Sequence, residues 1–192
     1  NTVLNSDLEM CHAVAGHYVH AQRAGVELAK HVLGCKVEKR VDVVVVSGYP
    51  ADQDFWQSPK GMYAAEHALK GGSGGTIVLV SPNYEGVGPH PEFLQMMGRD
   101  DGDEIVKGIF DGAPCEGDAL AIAVGNSMSK MRRRRRLVVV SNGVSPEEMA
   151  LCGCRHYPVE ALQQAVDDAM AQYPDATVAA VSNGAETFLY QA

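Results

Sequence analysis

The sequence predicts an α/β domain built on a mainly parallel sheet with helices on both faces, and three observations carry that expectation. Four short β-branched runs, VDVVVV at 41–46, TIVLV at 76–80, RLVVV at 136–140 and ATVAAV at 176–181, are apolar on both alternating sets of positions. Strands that bury both faces belong inside a sheet covered on both sides, the usual setting of parallel strands. Helical spacing of apolar residues separates the runs, at Val14, Tyr18, Ala21, Leu28 and Val32 in the first helix and Val159, Leu162, Val166, Met170 and Tyr173 in the last. The repeated strand-helix-strand order then makes a layered, Rossmann-like α/β fold the natural solution.

Taken in order, NTVL at the start adds one candidate strand, and the first helix, apolar on one side only, is expected to pack on the sheet and to close at Gly34. Strand 41–46 hands over to SGYPADQDFWQSPKG at 47–61. Within it Ser58-Pro59 reads as an N-cap and first helical position, which places Lys60 in the first turn of a helix running to about residue 70 and closed by Gly71. GGSGG at 71–75 precedes strand 76–80, whereas phosphate-binding glycine loops follow a strand and open a helix, so it reads as a helix-to-strand loop. EGVGPHPEF at 85–93 leaves the same sheet edge as Lys60 and suits either a wall of a cleft or a plain connection. A helix over 117–130 leads into KMRRRRR, expected as a solvated loop complementing the carboxyl end of that helix. Ser145-Pro146-Glu147-Glu148 opens a further helix, and no internal repeat is legible.

At 192 residues with 46% hydrophobic content, the chain can bury one respectable core. A net charge of -8 argues against a nucleic acid or an anionic membrane as partner, since both reward a basic face. No window approaches the roughly 18 to 20 apolar residues of a membrane span, and the start lacks a signal peptide's basic and apolar regions, so a cytoplasmic location is expected. Cys11, Cys35, Cys115, Cys152 and Cys154 are odd in number and read as free thiols; the Cys152-Gly-Cys154 pair lacks the second pair of a zinc site. His12, His17, His20 and His31 share one segment without a matching carboxylate or cysteine, which favours surface or packing roles over metal ligation. The chain opens on Asn1 without an initiator methionine, so a piece of a longer protein is expected.

In open parallel sheets ligands bind outside the carboxyl ends of strands, and residues 47–61 occupy that end of a central strand. A lysine at a helix start, where acids are preferred, favours a bound anion. Gln57 offers a donor and an acceptor and Trp56 a flat apolar wall, so the group suits a small carboxylate-bearing or hydroxylated ligand. The same residues would equally serve as core (Trp56), solvated charge (Lys60) and loop cap (Asp52), and residue chemistry alone leaves both readings open.

The stretch SGYPADQDFWQSPKG resembles the nickel-dependent lactate racemases and their relatives on other 2-hydroxy acids, in a Gly-Tyr-Pro-x-Asp pattern followed by an aromatic-Gln-x-x-Lys step. The resemblance extends in order to NTVLN, to AGHYVHAQRAG at 15–25, to GGTIVLVSPNYEGVG at 74–88 and to VSPEEMALCG at 144–153. It implies that residues 1–192 are the C-terminal domain of a two-domain racemase or epimerase whose N-terminal domain, absent here, carries a tethered nickel-pincer nucleotide, the nickel-ligating histidine and the proton-moving histidines. It also implies that inversion at C2 proceeds by reversible hydride transfer, that this domain alone is inactive and binds no cofactor, and that its partners are a 2-hydroxy acid or sugar acid and its own N-terminal domain. By the same resemblance Lys60 and Gln57 are the catalytic candidates, Lys60 holding a substrate carboxylate or developing alkoxide and Gln57 orienting it, with Tyr49, Asp52 and Trp56 joining them in substrate binding. Three departures stand out: Trp56 where lactate-acting members carry tyrosine, Pro59 inside the Gln-x-x-Lys step, and Gln22 where histidine is expected. The alternative expectation is a small-anion binding module that uses the same Lys60 cleft without catalysis.

Overall fold

The computed structural model describes residues 1–191. Its centre is a five-stranded, all-parallel sheet formed by β4 (Val43–Ser47), β5 (Thr76–Val80), β6 (Arg136–Val140), β7 (Arg155–Tyr157) and β8 (Val178–Val181), in the order β7-β6-β5-β4-β8. The four apolar runs are thus the four longer strands; the short, polar β7 gave no comparable signal. Alternation sends Val44, Val46, Ile77, Leu79, Leu137 and Val139 into one core. Their packing partners there are Met62 of α2 (Lys60–Glu66), Phe93 and Met97 of α3 (Pro91–Gly98), Met128 and Met131 of α5 (Ala119–Arg134), and Met149 of α6 (Pro146–Leu151). Val43, Val78, Val138 and Val140 turn to the other face, against Ala165 and Ala169 of α7 (Leu162–Met170), which follows a 3₁₀ turn at Val159–Ala161. α4 (Gly102–Phe110) packs on α5.

Several expectations are corrected. The opening strand forms, but as β1 (Thr2–Leu4) of a separate antiparallel hairpin with β2 (Met10–Ala13). Helix α1 (Tyr18–Leu33) does end at Gly34, yet its main packing partners are β1, β2 and β3 (Gly34–Lys36) rather than the central sheet. β3 pairs in parallel with β9 (Phe188–Tyr190), a union of segments distant in sequence that no local pattern announces. Helix α2 stops at Glu66, not near 70, because the chain turns back so that the Lys70 N–H donates to the Val41 carbonyl at 2.9 Å. The arginine run is not a solvated loop. α5 continues through Arg134, and the guanidinium groups are taken up by acids from other segments: Arg132 by Asp100, Arg133 by Asp103, and Arg134 and Arg135 by Glu66.

The chain progresses from β4 outward to β7 and returns to the other side of β4 as β8, so the order reverses between β4 and β8. Crevices form at the carboxyl ends of strands beside such a reversal. Asp42, just before β4, locks this junction: its carboxylate accepts from the Thr177 N–H at 3.0 Å, the Thr177 hydroxyl at 2.7 Å and Lys70 Nζ at 2.7 Å. Those bonds hold the Asp42 carboxyl down at about 2, the Lys70 hydrogen bond first and the Thr177 bonds next.

Candidate functional site

Four of the five strands of the sheet run into serine: Ser47 at the end of β4, Ser81 after β5, Ser141 after β6 and Ser182 after β8. This recurring Val-Ser ending was present in the sequence and marks the sheet's carboxyl edge. There the Ser81 hydroxyl donates to Asn83 Oδ1 at 2.8 Å, Asn83 Nδ2 donates to Ser141 Oγ at 3.3 Å, and Ser141 donates to the Pro82 carbonyl at 3.1 Å. The buried network fixes the loop after β5 as a rigid floor.

Onto this floor the loop after β4 is zipped to the loop after β5, through Asn83 N to Asp52 O at 3.0 Å, Glu85 N to Gln53 O at 2.9 Å and Phe55 N to Gly86 O at 2.9 Å. Of EGVGPHPEF, Phe93 lines the hollow beside Trp56, while the preceding residues back the loop that carries Trp56. Gly88, at φ +85°, lies so close that a Cβ there would meet Trp56 Cβ at 2.9 Å. His90 packs at a tilt of 40° against the Trp56 indole with ring centroids 4.1 Å apart, and Phe93 meets it edge-on at 5.1 Å. Asp118, at the head of α5, takes His90 Nδ1 at 2.5 Å and caps the Leu120 N–H at 2.8 Å. The His90 bond first, and that backbone bond next, hold its carboxyl below the usual range.

The helical turn begins earlier than expected. Ser58 is not the cap; its hydroxyl is buried without a hydrogen-bond partner, and Pro59 stands at the head of α2 with no side-chain cap. Capping falls instead to the buried Asp54, whose Oδ1 accepts from the Gln57 N–H at 2.8 Å. This presents Trp56, Gln57 and Lys60 on one side of a continuous turn. Lys60 Nζ donates to Gln57 Oε1 at 2.6 Å. Trp56, Gln57, Lys60, Tyr63, Phe93 and Met128 line a hollow of about 360 Å³, with an apolar floor and the ammonium at its mouth.

Of the five residues expected in the site, the structure brings together three. Tyr49 and Asp52 do not line this hollow. Tyr49 is exposed at the β4–β8 reversal, where its carbonyl accepts from the Ala185 N–H at 3.2 Å. Asp52 contributes its carbonyl to the loop network, while its carboxylate makes no hydrogen bond or ion pair among the described residues. Tyr63, Val124, Met128 and the His90–Asp118 pair were missed, since they reach the site from α2, α5 and the head of α3.

The five cysteines are free, with Cys152 and Cys154 buried and the other three exposed. His17 caps α1 through Nδ1 to the Val19 N–H at 3.4 Å, and among the described residues no group of three or more His, Cys, Asp or Glu stands together to hold a metal.

Residues 36–189 match the family described as the lactate racemase C-terminal domain. The chain belongs to that family. Within this lactate racemase C-terminal family, similarity reaches 37% identity over 90 residues with a lactate racemase of Thermoanaerobacterium thermosaccharolyticum, covering 46% of this chain and 20% of that protein. It is 30% over 107 residues with the lactate racemase of Lactiplantibacillus plantarum, covering 55% of this chain and 25% of the relative. The fold matches the lactate racemase apoprotein from T. thermosaccharolyticum at a TM-score of 0.74 and 22% identity, over 99% of this chain and 45% of that one. A Thermotoga maritima protein follows at a TM-score of 0.53 and 11% identity, over 91% of this chain and 42% of its own. The chain thus spans less than half the length of the solved racemase it matches. No helix among the described residues is long and apolar enough to cross a membrane.

Proposed function

We propose that this chain is the substrate-holding half of a cytoplasmic racemase or epimerase of 2-hydroxy acids, acting with an N-terminal domain that carries a nickel-pincer nucleotide. The observation that carries this reading is the Gln57-braced Lys60 ammonium at the mouth of the Trp56 hollow, at the carboxyl edge of the sheet. The reversible hydride chemistry that such a nucleotide supplies belongs, in this reading, to the other half.

What this chain contributes is charge and shape. Lys60 presents a fixed cation to a substrate carboxylate, or to the hydroxyl oxygen as negative charge develops on it, and such preorganised charge is effective where apolar walls exclude water. Gln57 keeps the ammonium aimed by accepting one of its three N–H hydrogen bonds. Trp56 and Phe93 form the dry wall. An indole with a donor but no acceptor, in place of a phenol, favours a substrate whose body stacks or accepts a hydrogen bond.

The test is C2 inversion over a panel of 2-hydroxy acids and aldonates by the cofactor-loaded, full-length protein, with Lys60→Ala alongside. Inversion of a panel member that falls about 10² to 10³-fold in the variant supports the reading. Saturable carboxylate binding without turnover would favour the small-anion module instead, and turnover indifferent to Lys60 would remove the lysine from the site.

A further inference from the structure

The opposite, amino edge of the sheet holds a hollow of about 410 Å³, between α7 and the first residues of β6 and β7. Its rim carries four arginines, Arg132, Arg135, Arg136 and Arg155, against one carboxylate, Asp168. That is a concentrated positive patch on a chain whose net charge is -8. Three of the four are answered by acids, Arg132 by Asp100, Arg135 by Glu66 and Arg155 by Asp168. Arg136 is exposed, and its guanidinium bonds only the Tyr173 hydroxyl, at 3.1 Å, with no carboxylate partner among the described residues.

The floor is apolar, from Leu137, Val138, Ala165 and Ala169. On one wall Arg155 lies 4.8 Å above the Tyr157 ring, whose hydroxyl donates to Asp168 Oδ2 at 2.6 Å. Burial, then the Asp168 bond, pushes the Tyr157 hydroxyl up, so it stays protonated and keeps Asp168 occupied. With Asp168 engaged twice, by Tyr157 and by Arg155 at 3.0 Å, the charge left facing the hollow is cationic.

The geometry points to a second binding site, for a phosphate monoester with a flat, weakly polar body. Arg136 and Arg155 grip the phosphoryl oxygens, and the body lies on the apolar floor beside Tyr157. Paired guanidinium forks match the geometry of a phosphate, and a hollow of this size accepts a nucleotide-sized molecule. Double-stranded nucleic acid is disfavoured because the arginines converge on one recess and do not follow a stripe.

The experiment is calorimetric titration of the full-length protein with adenosine monophosphate, inorganic phosphate and citrate, for the wild type, Arg136→Gln and Arg155→Gln. Saturable binding of the nucleotide, tighter than inorganic phosphate or citrate and weakened at least about tenfold by either substitution, is the expected result. Since Arg136 carries no ion pair, Arg136→Gln should fold and melt like the wild type, so a loss of binding there is a loss of the site. Absence of saturable binding, tighter binding of citrate than of the nucleotide, or affinities within twofold in both variants would overturn the proposal. The readout is binding at the amino edge, so it stands or falls independently of the racemase reading.

Discussion

Lys60 and Gln57 are joined across 2.6 Å, one turn apart, with the ammonium donating to the amide oxygen. The lysine's flexible stem is thereby held at the mouth of the Trp56 hollow instead of roaming solvent. If the pair acts as a unit, Gln57→Leu should lower kcat/KM for C2 inversion by about tenfold, the value of a hydrogen bond to a charged group. Added to Lys60→Ala it should cost nothing further. Additive losses in that double-mutant cycle would mean that Gln57 meets substrate directly.

His90 and Trp56 form the second contact of consequence, ring on ring at 4.1 Å. Because Trp56 is the chain's single tryptophan, its fluorescence reports on the surroundings of this one indole. His90→Ala should red-shift the emission as the indole gains water, and lower stability by about 1 kcal/mol. Unchanged emission would show that the imidazole does not cover the indole in solution.

Gly88 offers a steric test of the cleft wall. Its φ of +85° and the 2.9 Å approach to Trp56 Cβ leave no place for a methyl group. Gly88→Ala should cost about 1–3 kcal/mol in urea unfolding and shift the same fluorescence. A neutral substitution would mean that loop 82–90 stands away from Trp56.

The parts of the molecule that could be read from sequence are those whose causes are local. Runs such as TIVLV and RLVVV announce buried parallel strands because their aliphatic residues have an apolar environment to meet on either face. Trp56, Gln57 and Lys60 could be grouped because one turn of helix unites them and the order of sheet and loop places them at the carboxyl edge, where they share one hollow. What escaped depends on distant partners. Nothing near Arg132–Arg135 reveals that Asp100, Asp103 and Glu66 will meet those guanidiniums, and a run of identical charges shows no periodicity from which to infer a helix. The capping role passed from Ser58 to Asp54 for a subtler reason: a turn already winding from Asp54 leaves Ser58 inside it, where a hydroxyl has no free N–H to accept. His90 and Asp118 are 28 residues apart, so their pairing had no signature.

Asp42 supplies the last prediction, on stability against pH. Its carboxylate is folded with a value of about 2, below the ordinary 3.8, because Lys70 and Thr177 bond the charged form. A depressed value means that the unfolded chain binds this proton more readily, so the contribution is complete above about pH 4 and is lost as pH falls through about 2. Asp42→Ala should therefore cost about 2 kcal/mol near neutrality, since the Thr177 N–H loses its charged acceptor where β8 joins β4. On acidification the wild type and the variant should converge, and their urea midpoints should nearly coincide by pH 2. A difference that persisted undiminished to pH 2 would show that Asp42 acts through packing, and the ionic lock between Asp42, Lys70 and Thr177 would have to be abandoned as the source of that strand's attachment.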